Sequence, residues 1–264
     1  MTIYNLSQYY FKRFCLYLSG VIGVNSLLGC ALKPAPSQYS DYQTKTELTF
    51  PLTGEALVGT GGRAVEQNPD HIFLVDQRFA LDIVALAPES SPPEKKGLRE
   101  GILSGHIPVY HSKNYSNNNN HFCFGRVIIA PGNGTVVDAK DGVYDNIPGS
   151  RNYRDVPGNY VVIDHHNGEY SMLAHFKQHS IKVKQGDAVK AGTPIGQCGN
   201  SGNSNLPHLH YHLQNTPHWL NGAGLPMQFV RYYANGRYVK RGEPVQGEII
   251  STVPPTKQDT IESE

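Results

Sequence analysis

The segment Pro207-His208-Leu209-His210-Tyr211-His212-Leu213 places three histidines at alternate positions. Side chains of a strand alternate between its faces, so His208, His210 and His212 share one face while Leu209, Tyr211 and Leu213 share the other. Same-face neighbours stand roughly 6.5–7 Å apart. One imidazole can therefore hold a metal ion while the next reaches a metal-bound water. A solvated polar face is the plain alternative, but such faces usually mix polar types. Catalytic zinc takes three protein ligands from His, Asp or Glu and keeps a fourth position open. Asp82 is the best carboxylate candidate, because Phe79-Ala80-Leu81-Asp82-Ile83-Val84-Ala85-Leu86 is an apolar run interrupted by one acid. A lone carboxylate in such a run is costly unless a cation or hydrogen-bond donors meet it. Asp76, on the same segment, reads as a surface or turn acid.

These residues need a scaffold of short strands, and the sequence supplies one. Runs such as RVIIA, GTVVDA, NYVVIDHH, EYSMLAHF and PHLHYHLQ alternate with the turn-forming stretches PGNG, HNGE, QGDAVKAG and CGNSGNSN. This pattern predicts an all-β fold, with antiparallel sheets forming a sandwich or open barrel and long loops walling a groove. Loops 59–70, 104–122, 141–157 and 199–206 are the expected walls. No stretch of a dozen residues carries helical periodicity. An insert over about 88–122, containing the run Ser116-Asn117-Asn118-Asn119-Asn120, is expected as a mobile surface loop, with His106, His111 and His121 exposed on it. Residues 216–251 read as a β extension of the same domain and 252–264 as a disordered tail.

Over residues 47–215 the chain resembles the lysostaphin-type (LytM-like) zinc metallopeptidases, family twenty-three of the metallopeptidases. The resemblance is carried by Gly186-Asp187-Ala188-Val189-Lys190-Ala191-Gly192-Thr193-Pro194-Ile195-Gly196, then Gly199-Asn200-Ser201-Gly202, then His208-Leu209-His210. Asn159-Tyr160-Val161-Val162-Ile163-Asp164-His165 and Tyr170-Ser171-Met172-Leu173-Ala174-His175-Phe176 support it. It implies one zinc ion per chain held by His210 and Asp82, with peptide bonds of bacterial peptidoglycan as substrate. It further implies that His208 takes the proton of the attacking water and that His175 donates to the developing oxyanion. His165 is implied beside the site, orienting a ligand or water. Many relatives place another zinc-binding His four residues before the Asp; here that position is Arg78, whose guanidinium has no lone pair to offer. The alternative branch uses a His about a dozen residues upstream, which points to His71 in the Asn68-Pro69-Asp70-His71 turn; another His, or no third ligand, stays open. A catalytically inactive member that binds cell wall or a partner protein is the competing reading, and a metal-storage protein is another.

Composition narrows the remainder. The chain has 264 residues, 39% hydrophobic and 17% charged, with a net charge of +1. Near-neutral charge argues against a nucleic-acid partner. Lys12 and Arg13 followed by the apolar run Phe14–Leu28 read as a signal peptide over 1–29, and Leu27-Leu28-Gly29-Cys30 resembles a bacterial lipobox. The expectation is an exported, monomeric protein of the periplasm or cell envelope. It is expected to be held to a membrane by lipid on Cys30, with residues 30–46 as a flexible tether. Cys123 and Cys198 then remain in an oxidising compartment, as a disulfide or as two buried thiols. Cys198 has no nucleophile-elbow context, and Gly59-Thr60-Gly61-Gly62-Arg63 lacks the ending of a phosphate loop.

Overall fold

A computed structural model describes residues 34–87 and 116–254. Within them the chain is β throughout, apart from one turn of 3-10 helix at Asn118–Asn120. The signal peptide, Cys30, most of the insert, with His106 and His111, and residues 255–264 of the tail lie outside the described residues.

The strands are β1 (Glu55–Thr60), β2 (Leu81–Ala85), β3 (Val127–Ile129), β4 (Gly134–Lys140), β5 (Asn159–Asp164), β6 (Tyr170–Phe176), β7 (Ala188–Val189), β8 (Pro194–Gln197), β9 (Leu209–Gln214), β10 (Gly224–Leu225), β11 (Phe229–Ala234), β12 (Arg237–Gly242) and β13 (Ile249–Ser251). Ten of them form one sheet in the order β12-β11-β13-β1-β2-β9-β6-β5-β4-β7, with β10 also pairing β9; β3 and β8 form a separate pair. The pairings between these strands are antiparallel, and the large sheet stays open, ending at β12 and β7. The all-β antiparallel expectation holds.

Alternation divides the central strands cleanly. Leu81, Ile83 and Ala85 of β2, Leu209, Tyr211 and Leu213 of β9, and Leu173 of β6 enter the main core with Ile128 of β3 and Ile195 of β8. On the opposite face Asp82 stands level with His210, and His210 level with Ala174 of β6. Every residue of β9 is buried, so both of its faces are covered. A small apolar cluster of Val162, Met172 and Ala174, with Trp219 packed against it, flanks the histidine row on that second face.

Residues 34–46 differ from the expected flexible tether. Glu169 accepts from the amides of Lys45 (2.6 Å) and Thr46 (2.8 Å) and from the Tyr42 hydroxyl (2.8 Å). Thr44 and Gln228 exchange two hydrogen bonds of 2.7 and 2.8 Å, and Arg241 donates to the Thr44 carbonyl. The segment belongs to the folded domain because its polar residues find partners more than a hundred residues away. His121 is likewise buried rather than exposed, and Asp76 is buried with one carboxyl oxygen lacking a hydrogen-bond partner.

Candidate metal centre

Asp82 and His210 meet because antiparallel register sets them opposite each other on neighbouring strands. The His210 Nδ1 lies 3.1 Å from one Asp82 carboxylate oxygen. His71 reaches the other oxygen, its Nε2 at 3.5 Å, from the turn that follows Asn68. His208, at the foot of β9, brings its Nε2 to 3.5 Å from Asp82. Arg78 points elsewhere and donates to the Ala35 carbonyl.

His175 arrives by a different device. In simple alternation it would face the core with Leu173. Tyr160 pairs with Ala174 while the preceding Asn159 pairs with Phe176, so His175 is the extra residue of a bulge, with φ 66°. Bulges re-aim a side chain, and left-handed backbone at a non-glycine residue is a strain typical of functional sites. The His175 ring comes to rest 4.8 Å from that of His208 and 5.8 Å from that of His210, centroid to centroid.

Hydrogen bonds behind these rings fix which nitrogen faces inward. The amide nitrogen of Asn68 donates to the carbonyls of Arg78 (3.0 Å), Gly62 (3.2 Å) and Ala80 (3.4 Å), so its oxygen is what meets His71 Nδ1 at 2.9 Å. His71 Nδ1 therefore carries the proton, and Nε2 turns a lone pair toward Asp82. His175 Nδ1 donates to the Ser201 carbonyl and His208 Nδ1 to that of Leu206, each at 2.8 Å. Both present Nε2 lone pairs to the same space.

Electrostatics agree with this reading for His71 and His175, while Asp82 favours the protonated form of His208. Burial pushes the Asp82 carboxyl up, but the imidazoles of His71 and His208 outweigh it and hold it well below the usual range. Burial pushes His71 down to about 4, and burial with the neighbouring His208 and His210 keeps His175 well below its ordinary value. For His208, burial acts downward, yet the Asp82 charge wins and the net shift is upward. His175 is thus neutral with its only N–H committed to Ser201. In that state its Nε2 offers a lone pair, whereas the donor role implied by the resemblance needs a proton on that nitrogen.

Donor atoms of His71, Asp82 and His210 lie within 4.8 Å of one another. Tetrahedral zinc with bonds of about 2.0–2.1 Å separates its ligand atoms by about 3.3 Å, close to the carboxylate–imidazole spacings found here. The donor set fits zinc.

His165 is not beside this group. Its ring nitrogens contact the Asn133 carbonyl and the Ser171 hydroxyl, each at 2.7 Å, and Ser171 contacts the Tyr211 hydroxyl on the core side of β9. It ties β5, β6 and β9 together from the other face of the sheet. Cys123 and Cys198 are buried, unbridged thiols that lie against the carbonyls of Ile83 (3.9 Å) and Gly199 (4.0 Å). Asn68, Gln214 and the Ser201 and Leu206 carbonyls escaped the sequence reading, since their roles depend on contacts that no motif encodes.

Fold and site together define an all-β protein bearing an imidazole–carboxylate cluster of metal-binding character. Residues 121–222 match the Peptidase family M23 profile. That stretch contains His175, His208 and His210, while His71 and Asp82 precede it. Peptidoglycan DD-endopeptidase ShyA of Vibrio cholerae is 39% identical over 94 residues, covering 32% of this chain and 20% of that protein. An uncharacterized metalloprotease of Buchnera aphidicola is 35% identical over 89 residues, covering 34% and 20%. The matched stretch thus spans about a fifth of the length of these curated relatives. The solved catalytic domain of lysostaphin from Staphylococcus simulans aligns with a TM-score of 0.30 at 29% identity, covering 39% of this chain and 69% of that one.

Proposed function

We propose that the chain is a zinc-dependent endopeptidase that hydrolyses peptide bonds of bacterial peptidoglycan. The observation that carries this reading is the convergence of His71, Asp82 and His210 donors beside two further imidazoles whose Nδ1 atoms are committed to backbone carbonyls and whose Nε2 atoms face inward. The similarity to a peptidoglycan endopeptidase and to a metalloprotease supports the substrate class and the metal.

His71 Nε2, an Asp82 oxygen and His210 Nδ1 would hold the ion. Zinc bound there supplies Lewis-acid polarisation of a carbonyl and acidifies water toward a pKa of about 7. His208 accepts the proton of the attacking water at Nε2, because the imidazolium so formed lies beside the Asp82 charge. The same nitrogen then returns the proton to the leaving amine. His175 accepts a hydrogen bond from the water at Nε2 and orients it, while the Ser201 carbonyl fixes its ring. Loops 141–157 and 199–206 are zipped together by Asn146 N to Asn200 O (2.9 Å), Gly149 N to Asn205 O (2.8 Å) and Asn152 N to Gly202 O (2.8 Å), and supply a stiff wall for an extended peptide. Export, lipidation at Cys30 and action as a monomer at the cell envelope complete the proposal.

The test is digestion of purified muropeptides by the zinc-loaded chain, with products identified by mass spectrometry. Cleavage of a peptide bond that stops with Asp82→Asn is expected. Zinc uptake without cleavage of any muropeptide would assign the chain to the inactive binding class.

A further inference from the structure

The metal-holding set leaves His210 with an unresolved choice, because its Nδ1 faces Asp82 and its Nε2 faces His212. A neutral imidazole has one proton and can ligate only through the nitrogen that lacks it. Asp82 at 3.1 Å favours a proton on Nδ1, which would close that nitrogen to a metal. Something must oppose this, and the opposing contacts run along the same face of β9.

The side-chain amide nitrogen of Gln214 donates to two backbone carbonyls, Thr216 at 2.8 Å and His218 at 3.3 Å. Turning the amide over would set its oxygen against both carbonyl oxygens, so Oε1 is the atom facing His212 Nε2, at 3.0 Å. An amide oxygen only accepts, so His212 Nε2 carries a proton. His212 is buried, and its ring nitrogens face an imidazole and an amide with no anion between them, so it is neutral and its Nδ1 is a lone pair. That lone pair stands 3.0 Å from His210 Nε2, which must donate to it. In neutral His210, the form that can bind a metal, Nδ1 is then the bare nitrogen. In the opposite arrangement His212 Nε2 and Gln214 Oε1 would confront each other as two acceptors.

We propose that Gln214, acting through His212, is a positioning residue that sets which nitrogen of His210 is presented to the metal. The inference rests on the reading of His71, Asp82 and His210 as the metal-holding set. It gives His212, the third histidine of the strand, a task distinct from ligation: it is the acceptor that carries the backbone-anchored orientation of an amide two residues on to the ligand two residues back.

The experiment uses the full chain with 15N-labelled histidine. Long-range 15N–1H correlation of the metal-free protein at pH 8 reads which nitrogen of each neutral ring is protonated, and chelator competition with Zn2+ alone reads affinity. In the wild type His212 is expected protonated at Nε2. In Gln214→Leu the His212 proton moves to Nδ1, and the zinc dissociation constant rises by about 10- to 100-fold, the usual cost of losing a ligand's supporting hydrogen bond. In His212→Glu a carboxylate accepts directly from His210 Nε2, so adding Gln214→Leu to that variant leaves zinc affinity unchanged. A wild-type His212 protonated at Nδ1 overturns the relay without need of any variant. So does a Gln214→Leu chain that binds zinc as tightly as wild type, or one whose loss of affinity is the same in the His212→Glu background. Failure of the wild type to take up zinc would instead overturn the proposed function, because the His212 proton is read without metal.

Discussion

An imidazole's chemistry is decided by what stands behind it. His71, His175 and His208 each commit Nδ1 to an oxygen and turn Nε2 inward, whereas His210 turns Nδ1 inward from the paired strand. On the proposed reading His71 and His210 join Asp82 in holding the ion, His208 moves the proton and His175 orients the water. Replacing His208 by Ala is expected to lower kcat by about 10²–10⁴-fold, the range of general acid–base contributions, with zinc content unchanged. His175→Ala should behave the same way. Muropeptide turnover measured beside metal analysis checks both, and loss of zinc from either variant would make that residue a ligand. At this scale the sequence was legible for Asp82 and the β9 histidines, because an isolated acid in an apolar run and strict alternation are local signals. The inward aim of His175 was not, since alternation alone points it into the core. A bulge that depends on how β5 and β6 pair turns it round.

Elements hold these residues through close backbone approaches. Gly199 donates to the His175 carbonyl at 3.0 Å and bridges to His208, so it fastens the 199–206 loop to both residues. A Cβ there would stand 2.2 Å from the Lys177 amide nitrogen, a main-chain atom that cannot step aside. Gly199→Ala should cost about 1–3 kcal/mol, as overpacked sites do, and thermal unfolding reads this as a lower Tm. An unchanged Tm would mean that the loop is free to lift. The 34–46 segment marks the limit of composition as a guide. Polar residues with Pro34 and Pro36 read as a tether because Glu169, Gln228 and Arg241, the groups that pin it, are remote in sequence. Burial pushes the Glu169 carboxyl up, but hydrogen bonds from Thr46, Lys45 and Tyr42 outweigh it and the net shift is downward. A carboxylate whose folded pKa is depressed stabilises the fold above its unfolded pKa, about 4.3, and that contribution is lost as pH falls through the folded value. Glu169→Gln should therefore lower Tm at neutral pH, by an amount that shrinks to nothing in acid below the folded pKa. A difference that persists unchanged at low pH would contradict the ionised role.

Across the described residues, one open sheet carries a packed core on one face and the His71–Asp82–His210 cluster on the other. The class of fold was readable from many short β-branched runs between Gly- and Asn-rich turns. The sheet order, in which the last strands return to pair with the first, was not, because it is set by long-range pairing of β13 with β1. His71 from a turn, Asp82 from β2 and His210 from β9 are joined only in the folded state, so an ion that binds them binds the native chain alone. Zinc at 100 times its dissociation constant should then add about 2.7 kcal/mol to unfolding, and a chelator should remove it. The most direct test counts zinc in the purified full chain, wild type beside Asp82→Asn and His208→Ala. The account predicts one ion per chain in the wild type, none in Asp82→Asn and one in His208→Ala. Full zinc in Asp82→Asn, or none in the wild type, would contradict it.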